Sequence, residues 1–151
     1  TVVLVSGDPK TQDARTNFQL LADLPVPIIT MDGMEEDALE QGDMPDVLVD
    51  AMFGTGFHGV MRGNALKAAE YINNCHEKHG KKVFALDIPS GLGGDQLKKK
   101  KISCEIIKAD YTITFHARKP VHMRRFAACY CGEILVADIG IDEEKLMTVE
   151  I

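Results

Sequence analysis

Short continuous apolar runs, separated by stretches in which apolar positions recur every three or four residues, set the pattern of this chain. Thr1–Ser6 is apolar and β-branched and stops at Gly7-Asp8-Pro9, which predicts a buried strand and then a turn. From Asp13 to Leu24 the residues Ala14, Phe18, Leu21 and Ala22 fall at helical spacing, and Pro25 and Pro27 end that helix before a short strand at Ile28–Thr30. Met34–Gln41 reads as a short acidic helix leading into Asp46–Phe53, whose core Val47-Leu48-Val49 is a continuous apolar strand running into a Gly-rich loop. Asn64–Lys78 carries Leu66, Ala69 and Ile72 on one face and is the clearest helix; Val83–Leu86 is the next buried strand. The pattern loosens through Gly93-Gly94 and the basic run Lys98–Lys101. Strands return at Tyr111–Phe115 and Glu133–Asp138, and Val121–Ala128 between them can form a helix.

Strands that alternate with helices and lack polar alternation fit a parallel sheet covered on both faces. The expected fold is therefore α/β, a Rossmann-like three-layer sandwich with a mainly parallel sheet. No repeat, linker or low-complexity boundary interrupts it, so residues 1–151 are expected to form one domain. Ligands of such folds sit beyond the carboxyl ends of the strands. That rule selects two places, Asp50 with Gly54-Thr55-Gly56, and Asp87 with Ile88-Pro89-Ser90-Gly91.

Composition narrows the partners. A length of 151 residues allows one real core, and 45% hydrophobic with 26% charged residues is ordinary for a globular chain. The formal net charge of −6 does not supply the basic surface that phosphate backbones need, so small molecules or proteins are expected rather than nucleic acid. Cys75, Cys104, Cys129 and Cys131 match no zinc spacing, which favours a reducing, cytoplasmic setting. No apolar run reaches the roughly 18 residues of a membrane span, so no membrane partner is expected. The first residue is Thr1 and Val2–Val5 already reads as a strand, from which the loss of an N-terminal portion is expected.

The first candidate turn joins an acid at a strand end, Asp50, to glycines that let backbone N–H groups approach a ligand closely. It can equally be a plain tight βα turn. In the second, Pro89 and Gly91 stiffen and bend the loop so that the Asp87 carboxylate and the Ser90 hydroxyl face one side, although a capped turn has the same composition. Taken together they say more. Neighbouring parallel strands would bring the oxygens of Asp50 and Ser90 close enough to share a hard cation, with Asp87 left for proton transfer.

These residues carry a resemblance. The D-x-x-F-G-T-G turn at Asp50–Gly56, the D-I-P-S-G loop at Asp87–Gly91, the A-D-x-T-x-T-F strand at Ala109–Phe115 with Lys119 shortly after, and the D-I-G-I of Asp138–Ile141 follow one another in order. In this the chain resembles the NAD(P)H-hydrate epimerase family, also called the YjeF N-terminal domain family. The resemblance implies an isomerase that interconverts the two epimers of hydrated NADH or NADPH, a repair reaction that lets a stereospecific dehydratase recover the cofactor. It implies a potassium ion as cofactor, held by Asp50 and Ser90. It implies a substrate loop formed by Gly54, Thr55, Gly56, Phe57, His58, Gly59 and Val60, and Asp87 as the catalytic acid/base that also contacts substrate. Lys119, beyond a strand end on the ligand side, is expected either to touch substrate or to support the site. A homodimer, and a dehydratase fused to the chain or working beside it, are the macromolecular partners implied.

There is one departure. The family's G-N-N-G-G-D-G loop, which supplies an Asn ligand to potassium and a backbone cradle to substrate, has no counterpart in this sequence. Truncation is the expected cause, and a chain without that loop is expected to be impaired in turnover. A non-catalytic binding or scaffold module on the same fold is the alternative function. Outside the motifs, His76 and His79 lie three apart on a helix without a third ligand, Cys129-x-Cys131 lacks partners, and Lys98–Lys101 reads as a solvated loop. His58 and His116 lie near the same rim.

Overall fold

The computed structural model describes residues 1–32, 44–96 and 105–141. Strand β1 (Val2–Leu4) is followed by helix α1 (Gln12–Gln19), β2 (Ile28–Thr30), β3 (Val47–Asp50), α2 (Asn64–His79), β4 (Lys82–Leu86), β5 (Tyr111–Phe115), a 3-10 turn at Pro120–Met123, the short helix α3 (Ala128–Cys131) and β6 (Glu133–Ala137). The order is the α/β alternation read from the apolar runs. Every strand pair is parallel: β1 pairs with β2, and β3-β4-β5-β6 form a four-stranded sheet.

Two predicted helices change shape. Thr11 caps α1, its hydroxyl accepting the Ala14 N–H at 3.2 Å. That helix stops at Gln19 rather than Leu24, because none of its residues is buried and Leu20 and Leu24 stay exposed, so tertiary packing does not extend it. The helix expected at Val121–Ala128 is instead the 3-10 turn, opened by Pro120 at its first position, and α3 starting only at Ala128. Val121 and Ala127 are fully buried, and burying both fixes the intervening chain more strongly than helix propensity does. The acidic stretch Met34–Gln41, the run Lys98–Lys101 and Cys104 lie outside the described residues.

Helix α2 does most of the packing. Ala65, Ala69, Ile72 and Cys75 pack in one core with Leu48, Val83 and Ala85 of the sheet, and Ala68 is buried as well. Removing a buried Ile side chain of this kind costs about 2–5 kcal/mol. Gly80 ends α2 in the left-handed conformation, its N–H meeting the last-turn carbonyls of Cys75 and His76. Buried Asn73 ties the helix to the chain before β5: it donates to the Ile106 carbonyl at 2.9 Å and accepts the Lys108 N–H at 2.9 Å. A second apolar cluster of Ile88, Leu92, Ile106, Val121, Ala127 and Cys131 lies between the loop after β4 and the turns after β5. Cys131 is sealed there, and burial pushes its thiol up to about 11.

Register decides which residues meet. Asp50 pairs with Ala85, Ala85 with Thr112, and Leu86 with Ile113, so Asp50 and Asp87 end adjacent strands and Thr114 falls beside Asp87. Asp110 braces the entry to this sheet: its carboxylate accepts the Val83 N–H at 2.9 Å and the Lys82 ammonium at 2.8 Å. His76 is drawn into the same brace, with Nδ1 3.1 Å from the Lys81 carbonyl.

Candidate active site

Asp50 and Ser90 come together as expected. Asp50 is 1% exposed; its Oδ1 accepts the Ser90 hydroxyl at 2.6 Å and the Met52 N–H at 3.2 Å, and its Oδ2 accepts the Ser90 N–H at 2.7 Å. The Ser90 oxygen in turn accepts the Phe53 N–H at 3.1 Å, so the turn after β3 and the loop after β4 share one hydrogen-bonded knot. Burial pushes the Asp50 carboxyl up, against the lowering effect of the Ser90 hydroxyl, the Ser90 N–H and the Met52 N–H. No group of three or more His, Cys, Asp or Glu able to hold a metal lies among the described residues. The set at Asp50 is oxygen only, one carboxylate and one hydroxyl, which suits a hard cation of low charge.

Gly91 makes the knot possible. Its φ is +95°, and a Cβ there would lie 2.7 Å from the Glu105 carbonyl oxygen and 3.2 Å from the Ile106 Cα. The backbone beside it must pass that close, because the Ile107 N–H donates to the Ser90 carbonyl at 3.0 Å.

Asp87 sits on a tight left-handed turn. Its φ is +67°, and the Ile88 N–H bonds back to the Leu86 carbonyl at 2.9 Å across it. His116, at the end of the neighbouring β5, has φ +64° with the Ala117 N–H bonded to the Phe115 carbonyl at 2.8 Å. Such turns are rare outside glycine and cost on the order of 1–3 kcal/mol each, so they persist only where the surroundings over-determine them. Two of them, side by side at the carboxyl edge of the sheet, mark the strained part of this fold.

The surroundings of Asp87 are supplied by β5 and the turn beyond it. Its Oδ1 accepts the Thr114 hydroxyl at 3.1 Å and pairs with the Lys119 ammonium at 2.6 Å, the two charged side chains being 15% and 20% exposed. Its Oδ2 points to the glycine loop: a Cβ built on Gly54 would lie 3.6 Å from it. Lys119 therefore belongs to the site as a partner of Asp87. His122, which the sequence reading did not single out, stands behind it. It is 8% exposed and its Nδ1 accepts the Lys119 N–H at 3.1 Å. With Nδ1 accepting, the neutral ring carries its proton on Nε2. Burial pushes the imidazole below its usual value, against the pull of the Asp87 carboxylate. The only sequence signal for His122 is its place three residues beyond Lys119, in a turn that Pro120 opens.

The loop Gly54–Val60 spans the rim. Phe57 is half-buried, its ring 4.7 Å from that of Phe53, and its N–H closes a turn onto the Gly54 carbonyl at 3.1 Å. Thr55, Gly56, His58, Gly59 and Val60 are exposed. Apart from that of Phe57, the loop N–H groups take no backbone partner among the described residues, which leaves them able to meet an anion. Only Gly59 needs glycine for its backbone, with φ +115°; Gly54 and Gly56 have no such constraint, and at Gly54 it is the space beside Asp87 that the missing side chain leaves open. From the other side, Gly94 packs against Thr55, and its carbonyl accepts the Val121 N–H at 3.0 Å. The Asp138–Ile141 motif ends β6 in a turn, the Asp138 carboxylate accepting the Gly140 N–H at 2.8 Å.

Comparison with known proteins is consistent with this geometry. The YjeF-related protein N-terminus family matches over residues 1–121. A bifunctional NAD(P)H-hydrate repair enzyme Nnr of Archaeoglobus fulgidus is 35% identical over 141 residues, covering 93% of this chain and 27% of that protein. NAD(P)H-hydrate epimerases of Nitrosopumilus maritimus and Cenarchaeum symbiosum are 31% and 32% identical over 147 residues, covering 94% and 95% of this chain and 61% and 62% of theirs. The chain thus spans less than two thirds of the length of these relatives. Among solved structures, that of yeast ynu0 has the same fold, with a TM-score of 0.56 at 20% identity over 83% of this chain and 51% of the yeast chain.

Proposed function

The chain belongs to the YjeF-related protein N-terminus family, and from that premise and the site geometry we propose that it acts in NAD(P)H-hydrate epimerisation, an isomerase reaction on hydrated NADH or NADPH. The observation that carries this reading is Asp87: a carboxylate held by one oxygen on a strained strand end, with the other turned toward an exposed glycine loop.

The chemistry asks for little more. The reacting carbon bears a hydroxyl and adjoins the ring nitrogen. Protonation and loss of that hydroxyl as water leaves an iminium, and water adding to the opposite face gives up a proton to restore the hydrate. No atom is gained or lost, so one carboxyl that gives a proton on one face, and receives one back from the water added on the other through solvent, goes far. Asp87 is that group. Apart from that of Phe57, the N–H groups of Gly54–Val60, which take no backbone partner among the described residues, suit a pyrophosphate, and α2 follows the loop with no side-chain cap on its first turn, which favours an anion there.

Asp50 and Ser90 would hold a potassium ion, which when bound supplies positive charge beside a buried carboxylate. Asp50 itself serves to pin the Ser90 loop and so the base of Asp87. The reading includes a cytoplasmic setting and a dehydratase acting on the product, fused or separate; a homodimer belongs with it. No described helix is long and apolar enough to cross a membrane. The test is to start from one pure hydrate epimer and follow its conversion to the other with and without the protein. Acceleration over the spontaneous rate is expected. Tight binding of the hydrate without acceleration would favour the scaffold alternative.

A further inference from the structure

Lys119 reaches four oxygens. Its ammonium lies 2.6 Å from Asp87 Oδ1, 2.8 Å from the Phe115 carbonyl, 3.1 Å from the Thr114 hydroxyl and 3.3 Å from the Ala117 carbonyl. An ammonium has three protons, so this one is already saturated. Contact with a substrate phosphate would require it to leave at least one of these partners. The main chain of Lys119 is fixed as well, through the N–H bond to His122.

The partners are not a random set. Phe115 and Ala117 flank His116, so the ammonium closes the second strained turn while it grips the residue at the centre of the first. Thr114, fully buried, donates to Asp87 Oδ1 or to the Ala117 carbonyl and accepts from Lys119, linking both turns. Oδ1 is thus occupied from two directions while Oδ2 is turned to Gly54. We propose that Lys119 is a positioning residue, a clamp that holds one oxygen of Asp87 against the end of β5 so that the other meets the reacting group over Gly54. Thr114 is the second jaw of that clamp.

The inference rests on the epimerase reading for its rate measurement only. Lys119→Met keeps the length of the side chain and removes the donors. It should lower kcat by at least about 10-fold, because misplacing an acid/base acts on the transition state, and leave KM within about 2-fold. Lys119→Arg, which restores donors and charge, should recover at least about 3-fold of the loss. A rise in KM with kcat unchanged would make Lys119 a substrate contact and overturn the clamp. Should Lys119→Met fail to fold, Thr114→Val removes one jaw and should cost about 3-fold in kcat on the same reasoning.

A second readout does not use turnover. In proton-detected nitrogen spectra of the lysine ammonium groups, the native protein should show one slowly exchanging signal. That signal should be missing in Lys119→Arg and altered in Asp87→Asn. Its absence from the native protein would overturn the clamp whatever the enzyme does. If the signal is present and the hydrate epimers are not equilibrated, the epimerase reading falls and the clamp stands.

Discussion

A single methyl group added at Gly54 should separate activity from stability. Gly54 does not have the left-handed backbone that only glycine adopts easily, and among the described residues beyond its chain neighbours the sole atom within 4 Å of a Cβ built there is Asp87 Oδ2, at 3.6 Å. That is ordinary van der Waals contact. Replacing glycine by alanine where the backbone allows it changes stability by under about 1 kcal/mol, often favourably, because the unfolded chain loses freedom. Gly54→Ala should therefore fold and melt within a few degrees of the parent. Its effect on chemistry should be large. A reacting hydroxyl must come within about 2.6–3.2 Å of the carboxylate oxygen, and a methyl carbon at the distance given would fill the same space. Displacing a reactant by about 1 Å costs on the order of 100-fold. The assay pairs thermal melting with equilibration of the hydrate epimers. A Gly54→Ala protein that turns over at the parental rate would show that the reactant does not approach Asp87 across Gly54, and one that fails to fold would show that the space is structural.

Gly91 should behave in the opposite way: alanine there meets both a φ of +95° and the Glu105 carbonyl at 2.7 Å, so Gly91→Ala should lose at least about 2 kcal/mol in chemical denaturation; a loss below about 0.5 kcal/mol would contradict the close approach of the two segments. Asp50 gives a pH prediction. Burial raises its folded pKa above the ordinary 3.8, so its contribution to stability is present below that value and is lost as pH rises through the raised one, when the buried carboxyl ionises. A cation bound by the carboxylate offsets that loss. The melting shift produced by potassium over a large organic cation should thus grow as pH rises through this window and vanish in Asp50→Asn, whereas a shift independent of pH would remove Asp50 from the site.

Much of this was legible in the sequence, for physical reasons that also explain what was not. Continuous apolar runs such as Val47-Leu48-Val49 and Val83–Leu86 marked strands, although the first alternates in burial, Leu48 facing the core while Val47 and Val49 stay exposed, and Leu66, Ala69 and Ile72 mark the inner side of α2 by their spacing alone. The ends of those strands named Asp50, Asp87 and Ser90. The role of Lys119 was left open, because it depends on register: only the pairing of Leu86 with Ile113 sets Thr114 beside Asp87 and brings the chain beyond β5 within reach. Equally hidden were the left-handed turns at Asp87 and His116, since neither is glycine and nothing local asks for positive φ. At Val121–Ala128 the helix that the sequence allows does not form, because two buried anchors, Val121 and Ala127, fix the chain there.

The central claim is that Asp87 moves the proton, and Asp87→Asn tests it most directly, since the amide keeps the shape and removes the exchangeable acid. The measurement is the rate at which one pure hydrate epimer converts to the other, set beside the affinity of the protein for that hydrate. A fall of at least about 100-fold in rate, the low end for a general acid–base group, with affinity largely kept, is the predicted result. An Asp87→Asn protein that equilibrates the epimers as fast as the parent would contradict the account.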